Sequence, residues 1–332
     1  MKFCSFLQKS NLDPRIAFYV ILLCNLKHQF RQLVKSFGKS KNVISICKYN
    51  SIMVPQFGLA EIHKVELMIL KDIDNLCQKH KLNYCLYCGT LLGSIRHKGF
   101  IPWDDDADIM MPLRDCRRFL SIAKTELKGR YFISEIRSDA NAMVPWTQIR
   151  REGTEYYPEE HRNIEYHKGI SLDIYPLIGA YEGIFGKLQV SAIDVQRALT
   201  SRNMRRAENY KTIHRFVAAR KIMDCMPRWF LLMANSLIEA LFWPDPDKHV
   251  SCGTVDAAKF SGKYLVRDWK EKTDGEFEGG KFPIPKEYDL FLRTMYGDYW
   301  KLPPEEKRVS HHADSVVVTI SDTIAEEIGI KP

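Results

Sequence analysis

Residues 89–112 read GTLLGSIRHKGFIPWDDDADIMMP, and four carboxylates fall within five positions there: Asp104, Asp105, Asp106 and Asp108. Side chains alternate faces along a strand, so Asp106 and Asp108 project to the same side if this segment is extended. Two like charges held together are tolerable where a divalent cation sits between them. Hard oxygen donors in that geometry suit Mg²⁺ or Mn²⁺, which also bind substrate phosphates. A solvated acidic turn fits less well, because Ile101, Trp103 and Ile109 to Met111 hem the acids in with apolar residues. Upstream, Gly89-Thr90 lies between an expected strand and an expected helix. A small residue there lets a phosphate approach backbone N–H groups and the positive helix end. Arg96, His97 and Lys98 follow, where they can meet phosphate charge or serve as ordinary surface residues. A third carboxylate, Asp173, stands in GISLDIYPL. An acid inside an apolar strand is costly unless it is paired or binds metal. With Asp106 and Asp108 it would complete a site able to stabilise attacking and leaving oxygens, and a structural salt bridge is its rival reading.

The elements that must position these groups follow from periodicity. From Leu59 to His80, Ile62, Val65, Ile69, Ile73 and Leu76 mark one face of a helix. A strand is expected at Tyr84–Cys88, a short helix at Thr90–Arg96, a strand at Asp106–Met111 and a helix at Arg114–Leu127. Further strands are expected at Phe132–Ile136, Trp146–Arg150 and Ile170–Tyr175. After Gly186 the pattern turns helical, with a long helix over Thr212–Leu241. From Phe277 on, Pro-rich turns surround a helix at Lys286–Tyr296. Strands in the middle with helices towards both ends predict an α+β fold, with a mixed β-sheet flanked by helices, a helical N-terminal arm and a helical C-terminal half. Gly-Thr, a short helix and then a strand bearing Asp-x-Asp is the order of the nucleotidyltransferase fold.

GTLLGSIRHKGFIPWDDDADI, together with HKGISLDIYPL and the tail FPIPKEYDLFLRTMYGDYWKLPPEEKR, resembles the LicD family of phosphotransferases. That family includes bacterial phosphocholine transferases and is related to the fukutin group of eukaryotic ribitol-phosphate transferases. The match spans roughly residues 59–312, and the tail block supports the first independently. The resemblance implies transfer of phosphocholine or a similar phospho-alcohol from a CDP-activated donor to a sugar hydroxyl, with a divalent metal. The acceptor would be a cell-surface glycan such as lipopolysaccharide or teichoic acid, or its precursor. By the same motif Asp106 and Asp108 match the metal-binding pair and Asp173 the third acid, which is also a base candidate towards the hydroxyl. Gly89 and Thr90 would cradle phosphates, with Arg96, Lys98 and Arg150 adding positive charge. His167 and the His311-His312 pair are acceptor-side candidates. Ala107 stands where the family usually has a larger aliphatic residue, and Cys88 where a small residue is usual. Two rivals stay open: a metal-dependent glycosyltransferase using a nucleotide-sugar, and a catalytically silent membrane-associated scaffold. The first would place a larger nucleotide-binding half ahead of the acidic motif than the one helix and one strand expected here.

Charge is unevenly distributed. The 332 residues carry a formal net charge of +8, yet residues 1–50 hold nine basic residues against one acid, Asp13, leaving a neutral remainder. A basic groove across the body, as for nucleic acid, is not indicated. The division predicts a basic arm over residues 1–50 and a catalytic domain over 51–332. In the arm, Tyr19, Leu23, Leu26, Phe30, Leu33 and Phe37 recur at helical spacing, flanked by Lys27, Arg31 and Lys35. Residues 14–37 can therefore lie on an anionic membrane surface, or pack as an ordinary amphipathic helix. The apolar run Ile16–Leu26 is too short to span a bilayer, which takes about 20 residues. No small-residue cleavage site follows it, so a cytoplasmic protein, peripheral at most to the inner membrane face, is expected. Nine Cys without framework spacing predict reduced thiols.

Overall fold

A computed structural model of the chain describes residues 58–181, 183–200, 226–243, 250–253, 270–310 and 316–330. The amphipathic arm, His311-His312 and residues 212–225 of the expected long helix lie outside the described residues. Helix α1 (Leu59–His80) buries Ile62, Val65, Ile69, Leu70, Ile73 and Leu76, the face its spacing predicts. Lys81 closes it in a left-handed conformation, with its N–H returned to the last turn. The expected strand over 84–88 shortens to β1 (Cys85–Leu86). Cys88, at φ 44°, already turns the chain into α2 (Cys88–Arg96).

Strand β2 (Ala107–Pro112) follows, buried throughout, then α3 (Leu113–Glu126), β3 (Tyr131–Ser134), β4 (Thr147–Arg151), β5 (Thr154–Pro158) and the ten-residue β6 (Ser171–Ala180). The main sheet runs β1-β2-β6-β4-β3, with β7 (Val250–Gly253) on the far part of β6. Only β2 and β6 pair in parallel; the other pairs of this sheet are antiparallel. The fold is thus α+β with a mixed sheet. Two parallel central strands must be covered on both faces, which explains their unbroken apolar character around the acids. One continuous core joins the buried face of α1, and Phe119 and Ala123 of α3, to Ile109, Ile149, Leu172 and Ile174 of the sheet.

The helical C-terminal half contains α4 (Gly183–Thr200), α5 (Arg228–Phe242), α6 (Tyr288–Tyr296) and α7 (Asp322–Glu327). The single helix expected over 212–241 is corrected: α5 starts at Arg228 with Pro227 as its N-cap, since proline suits a helix start and breaks an interior. Among the described residues no helix is long and apolar enough to cross a membrane. Strands also occur here. A hairpin joins β8 (Lys272–Phe277) to β9 (Gly280–Pro285), and β10 (Val316–Ile320) pairs antiparallel with β5. The hairpin loop is Glu278-Gly279, with φ 49° and 71°, the doubly positive turn that matches strand twist. Its tip grips the loop ahead of the acids. Glu278 N–H donates to the Lys98 carbonyl at 2.9 Å, and Glu278 Oε1 accepts from Phe100 N–H at 3.1 Å.

Close approach also fixes α2 against that loop: a Cβ on Gly93 would press into the Gly99 carbonyl oxygen, a backbone atom that cannot rotate away. Gly93→Ala should cost about 1–3 kcal/mol, read as a lower urea midpoint with an unchanged slope. A midpoint equal to wild type would mean that the α2–loop packing yields.

Candidate active site

The acids are placed by one row across the sheet. Asp108 on β2 is the register partner of Asp173 on parallel β6, and Asp173 is in turn opposite Gln148 on antiparallel β4. Directly opposed residues share a sheet face, so Asp108 and Asp173 lie side by side, 4% and 7% exposed. Asp106 precedes β2 by one residue and is half-buried beside them. Thr90 holds β2 in place. Its Oγ1 accepts from Asp108 N–H at 2.7 Å, while Tyr87 N–H donates to the Asp108 carbonyl at 3.0 Å. Gly89 lies against the Asp104 carboxylate, where a Cβ would clash.

Asp173 is oriented by two donors, Trp146 Nε1 to its Oδ2 at 2.5 Å and Gln148 Nε2 to its Oδ1 at 2.8 Å. The Gln148 amide is itself fixed, because its Oε1 accepts from Arg150 Nη2 at 2.5 Å. Arg150 Nη1 donates to the Gly169 carbonyl at 3.0 Å. Tyr156 on β5 hydrogen-bonds Asp105, and His63 on α1 bonds the Asp104 carbonyl at 2.7 Å. A carbonyl only accepts, so His63 Nε2 carries the proton.

Burial and mutual repulsion set the electrostatics. Asp108 is held well above the usual carboxylate range, first by burial and then by Asp106, Asp173, Asp104 and Glu66. Asp106 is raised likewise, by burial and then by Asp104, Asp173 and Asp105. Asp173 is raised by burial, against which its Gln148 and Trp146 hydrogen bonds work. Asp108 Oδ1 is buried without a hydrogen-bond partner. A carboxylate oxygen in that condition suits a hard cation. As placed, no three His, Cys, Asp or Glu side chains among the described residues enclose a single ion.

Asp104, Asp106 and Asp108 line a cleft of about 450 Å³, with Gly89 and Leu92 from α2. The C-terminal tail adds Tyr296, Asp298, Tyr299, Lys301 and Lys307 to the lining, and Arg96 of α2 lines it too. Arg96 Nη1 donates to the Tyr299 carbonyl at 2.7 Å, which ties the tail to the motif segment. Residues 81–181, which include all three site aspartates, match the family described as LicD/FKTN/FKRP, nucleotidyltransferase domain. Over 283 residues the chain is 27% identical to the lipopolysaccharide cholinephosphotransferase LicD of Haemophilus influenzae, covering 78% of this chain and 98% of that protein.

Residues 81–181 form a LicD-family domain. Uncharacterised proteins of Rickettsia typhi and Rickettsia prowazekii match shorter stretches, 57 residues at 40% identity and 41 residues at 49%, or 18% and 15% of their lengths. In this LicD domain the residues read from sequence divide into four places. Asp106, Asp108, Gly89 and Arg96 line the cleft, with Thr90 and Asp173 just behind it. Arg150 is buried behind Gln148 and acts on Asp173 through it. Lys98 is exposed in a turn at φ 60°, away from the cleft lining. His167 stacks on Phe132 at 4.5 Å and meets Glu152 at 3.1 Å. It lines a larger, more open depression of about 750 Å³ that contains none of the aspartates. Cys77, Cys85 and Cys116 form no disulfide, and burial pushes their thiols up to about 12.

Sequence reading missed Trp146, Gln148, Tyr156, Lys301 and Lys307. Lys301 and Lys307 fall inside the tail block, and Gln148 shares a strand face with Arg150, so both signals were available. In the metal-free protein Asp108 binds its proton more tightly folded than unfolded. That contribution is fully present below about pH 4, the ordinary carboxylate range, and is lost as pH rises towards the folded value. With chelator, Asp108→Asn should therefore gain melting temperature over wild type as pH goes from about 5 to about 8. A difference that stays flat or shrinks would contradict the electrostatics.

Proposed function

We propose that the protein is a cation-dependent phosphotransferase that moves phosphocholine, or a similar phospho-alcohol, from a CDP-activated donor to a sugar hydroxyl of a cell-surface glycan or its precursor. The observation that carries this is the cleft itself, whose lining brings Asp104, Asp106 and Asp108 together with Arg96, Lys301 and Lys307. Such a pairing suits a metal-bound diphosphate. The activity for which the Haemophilus relative is named supports the choline and the glycan. The donor set fits Mg²⁺ or Mn²⁺, being all carboxylate with one oxygen left unpartnered.

In this reading Asp106 and Asp108 hold the ion, which when bound neutralises diphosphate charge and polarises the phosphorus. The start of α2, at Gly89 and Thr90, faces the donor phosphates with its free N–H groups. Arg96 and Lys301 take the outer phosphate oxygens. The acceptor oxygen attacks the phosphorus bearing the alcohol, the bond to the bridging oxygen breaks, and CMP leaves with that electron pair. The hydroxyl proton goes to Asp173, whose burial raises its proton affinity and whose orientation Trp146 and Gln148 fix.

Purified protein with Mg²⁺ and a glycan acceptor should release CMP from one member of a panel of CDP-choline, CDP-ribitol and CDP-glycerol. Asp106→Ala and Asp108→Ala should each abolish that release. No CMP from any donor would overturn the proposal.

A further inference from the structure

One more carboxylate shares this interior, and it lies outside the 81–181 match. Glu66 is on α1 between Ile62 and Ile69, on the buried face, and is 1% exposed. Its Oε2 is buried with no hydrogen-bond partner; among the described residues the other such side-chain atoms are Asp108 Oδ1 and Arg151 Nε. An apolar helix face is among the least favourable places for an unpaired carboxylate. Its surroundings worsen matters, because Asp104, Asp105, Asp106 and Asp173 all act on it with the same sign. Glu66 in turn acts on Asp108. Helix α1 also meets the acid loop directly, because His63, one turn before Glu66, bonds the Asp104 carbonyl at 2.7 Å. Two unpartnered carboxylate oxygens, one from α1 and one from β2, are thus brought to one acidic cluster.

We infer that Glu66 is part of the cation site and supplies an oxygen donor from α1 to the ion assigned to Asp106 and Asp108. This rests on the cation-dependent reading above. It gives an otherwise unfavourable buried acid a counter-charge, and it makes α1 part of the active site. A glutamate of purely structural value would instead have its oxygens satisfied by protein donors.

The test uses the full chain and Mn²⁺ alone, with binding read by the electron paramagnetic resonance of free Mn²⁺ and stability by melting temperature in chelator. Glu66→Gln should weaken Mn²⁺ binding about 10- to 100-fold, while the metal-free variant melts no lower than wild type because Oε2 has no hydrogen bond to lose. Glu66→Asp, with the charge kept and the reach shortened, should fall between. It is the variant to read if Glu66→Gln does not fold. Wild-type affinity in the substituted protein, with a lower melting temperature, would make Glu66 structural and overturn the inference. If wild type binds Mn²⁺ and Asp108→Asn loses it while Glu66→Gln does not, the Glu66 inference alone fails. Absence of saturable Mn²⁺ binding by wild type would overturn the cation reading itself, and Glu66 with it.

Discussion

Everything in the centre of this protein is arranged around two carboxylates forced side by side in a dry place. Parallel pairing of β2 with β6 sets Asp108 directly beside Asp173, and both are nearly inaccessible to water. Like charges a strand's width apart, in a medium far less polarisable than water, repel strongly. Without a counter-ion the protein relieves that repulsion by proton uptake, since burial and the neighbouring acids hold Asp108 well above the usual carboxylate range. Trp146 and Gln148 satisfy Asp173, whereas Asp108 keeps an oxygen unpartnered. A sheet selected for stability alone would carry Val or Ile at both positions. Crowded, buried acids with one oxygen left unpartnered are the physical reason for reading the site as one that takes a cation.

The surrounding architecture holds this acidic row in position. Thr90 and Tyr87 anchor the β2 backbone from the α2 side, and Arg150 locks Gln148 from the β4 side. The hairpin tip at Glu278 fixes the Lys98–Phe100 loop, from which the chain runs into the acids. Arg96 donates to the Tyr299 carbonyl, so the tail lining of the cleft is tied to the motif segment. The Arg96–Tyr299 bond joins positions 203 residues apart in sequence, yet motif segment and tail together make one cleft. This explains why both blocks carry the resemblance to the LicD family.

Much of this was legible in the sequence, for reasons that are local. Alternation along 106–108 announces a shared face, and an acid in the apolar Ile170–Tyr175 stretch announces Asp173. Helix α1 follows from its apolar spacing alone. What stayed hidden depends on tertiary contact. Glu66 is a lone acid in a helix, and a lone acid usually faces solvent; only its position four residues after Ile62 and three before Ile69 places it inside. His167 and Lys98 looked like site residues by their nearness to motifs; Lys98 stands in an exposed turn and His167 stacks on Phe132, both outside the lining of the acidic cleft. The hairpin was concealed by its prolines, although Glu278-Gly279 between Phe277 and Phe282 is a recognisable turn signal. The helix break at Pro227 was a plain local cue that the apolar pattern of Thr212–Leu241 overrode.

Under the proposed function, the unpartnered carboxylate of Asp108 faces a cation in the cleft between motif and tail. Crystals of the full chain soaked with Mn²⁺ and CMP, measured for anomalous scattering, test it directly. An anomalous peak is predicted against Asp106 and Asp108, with the CMP phosphate towards Arg96 and Lys301. Density for CMP in the depression beside His167, with no peak at Asp108 at saturating Mn²⁺, would contradict it.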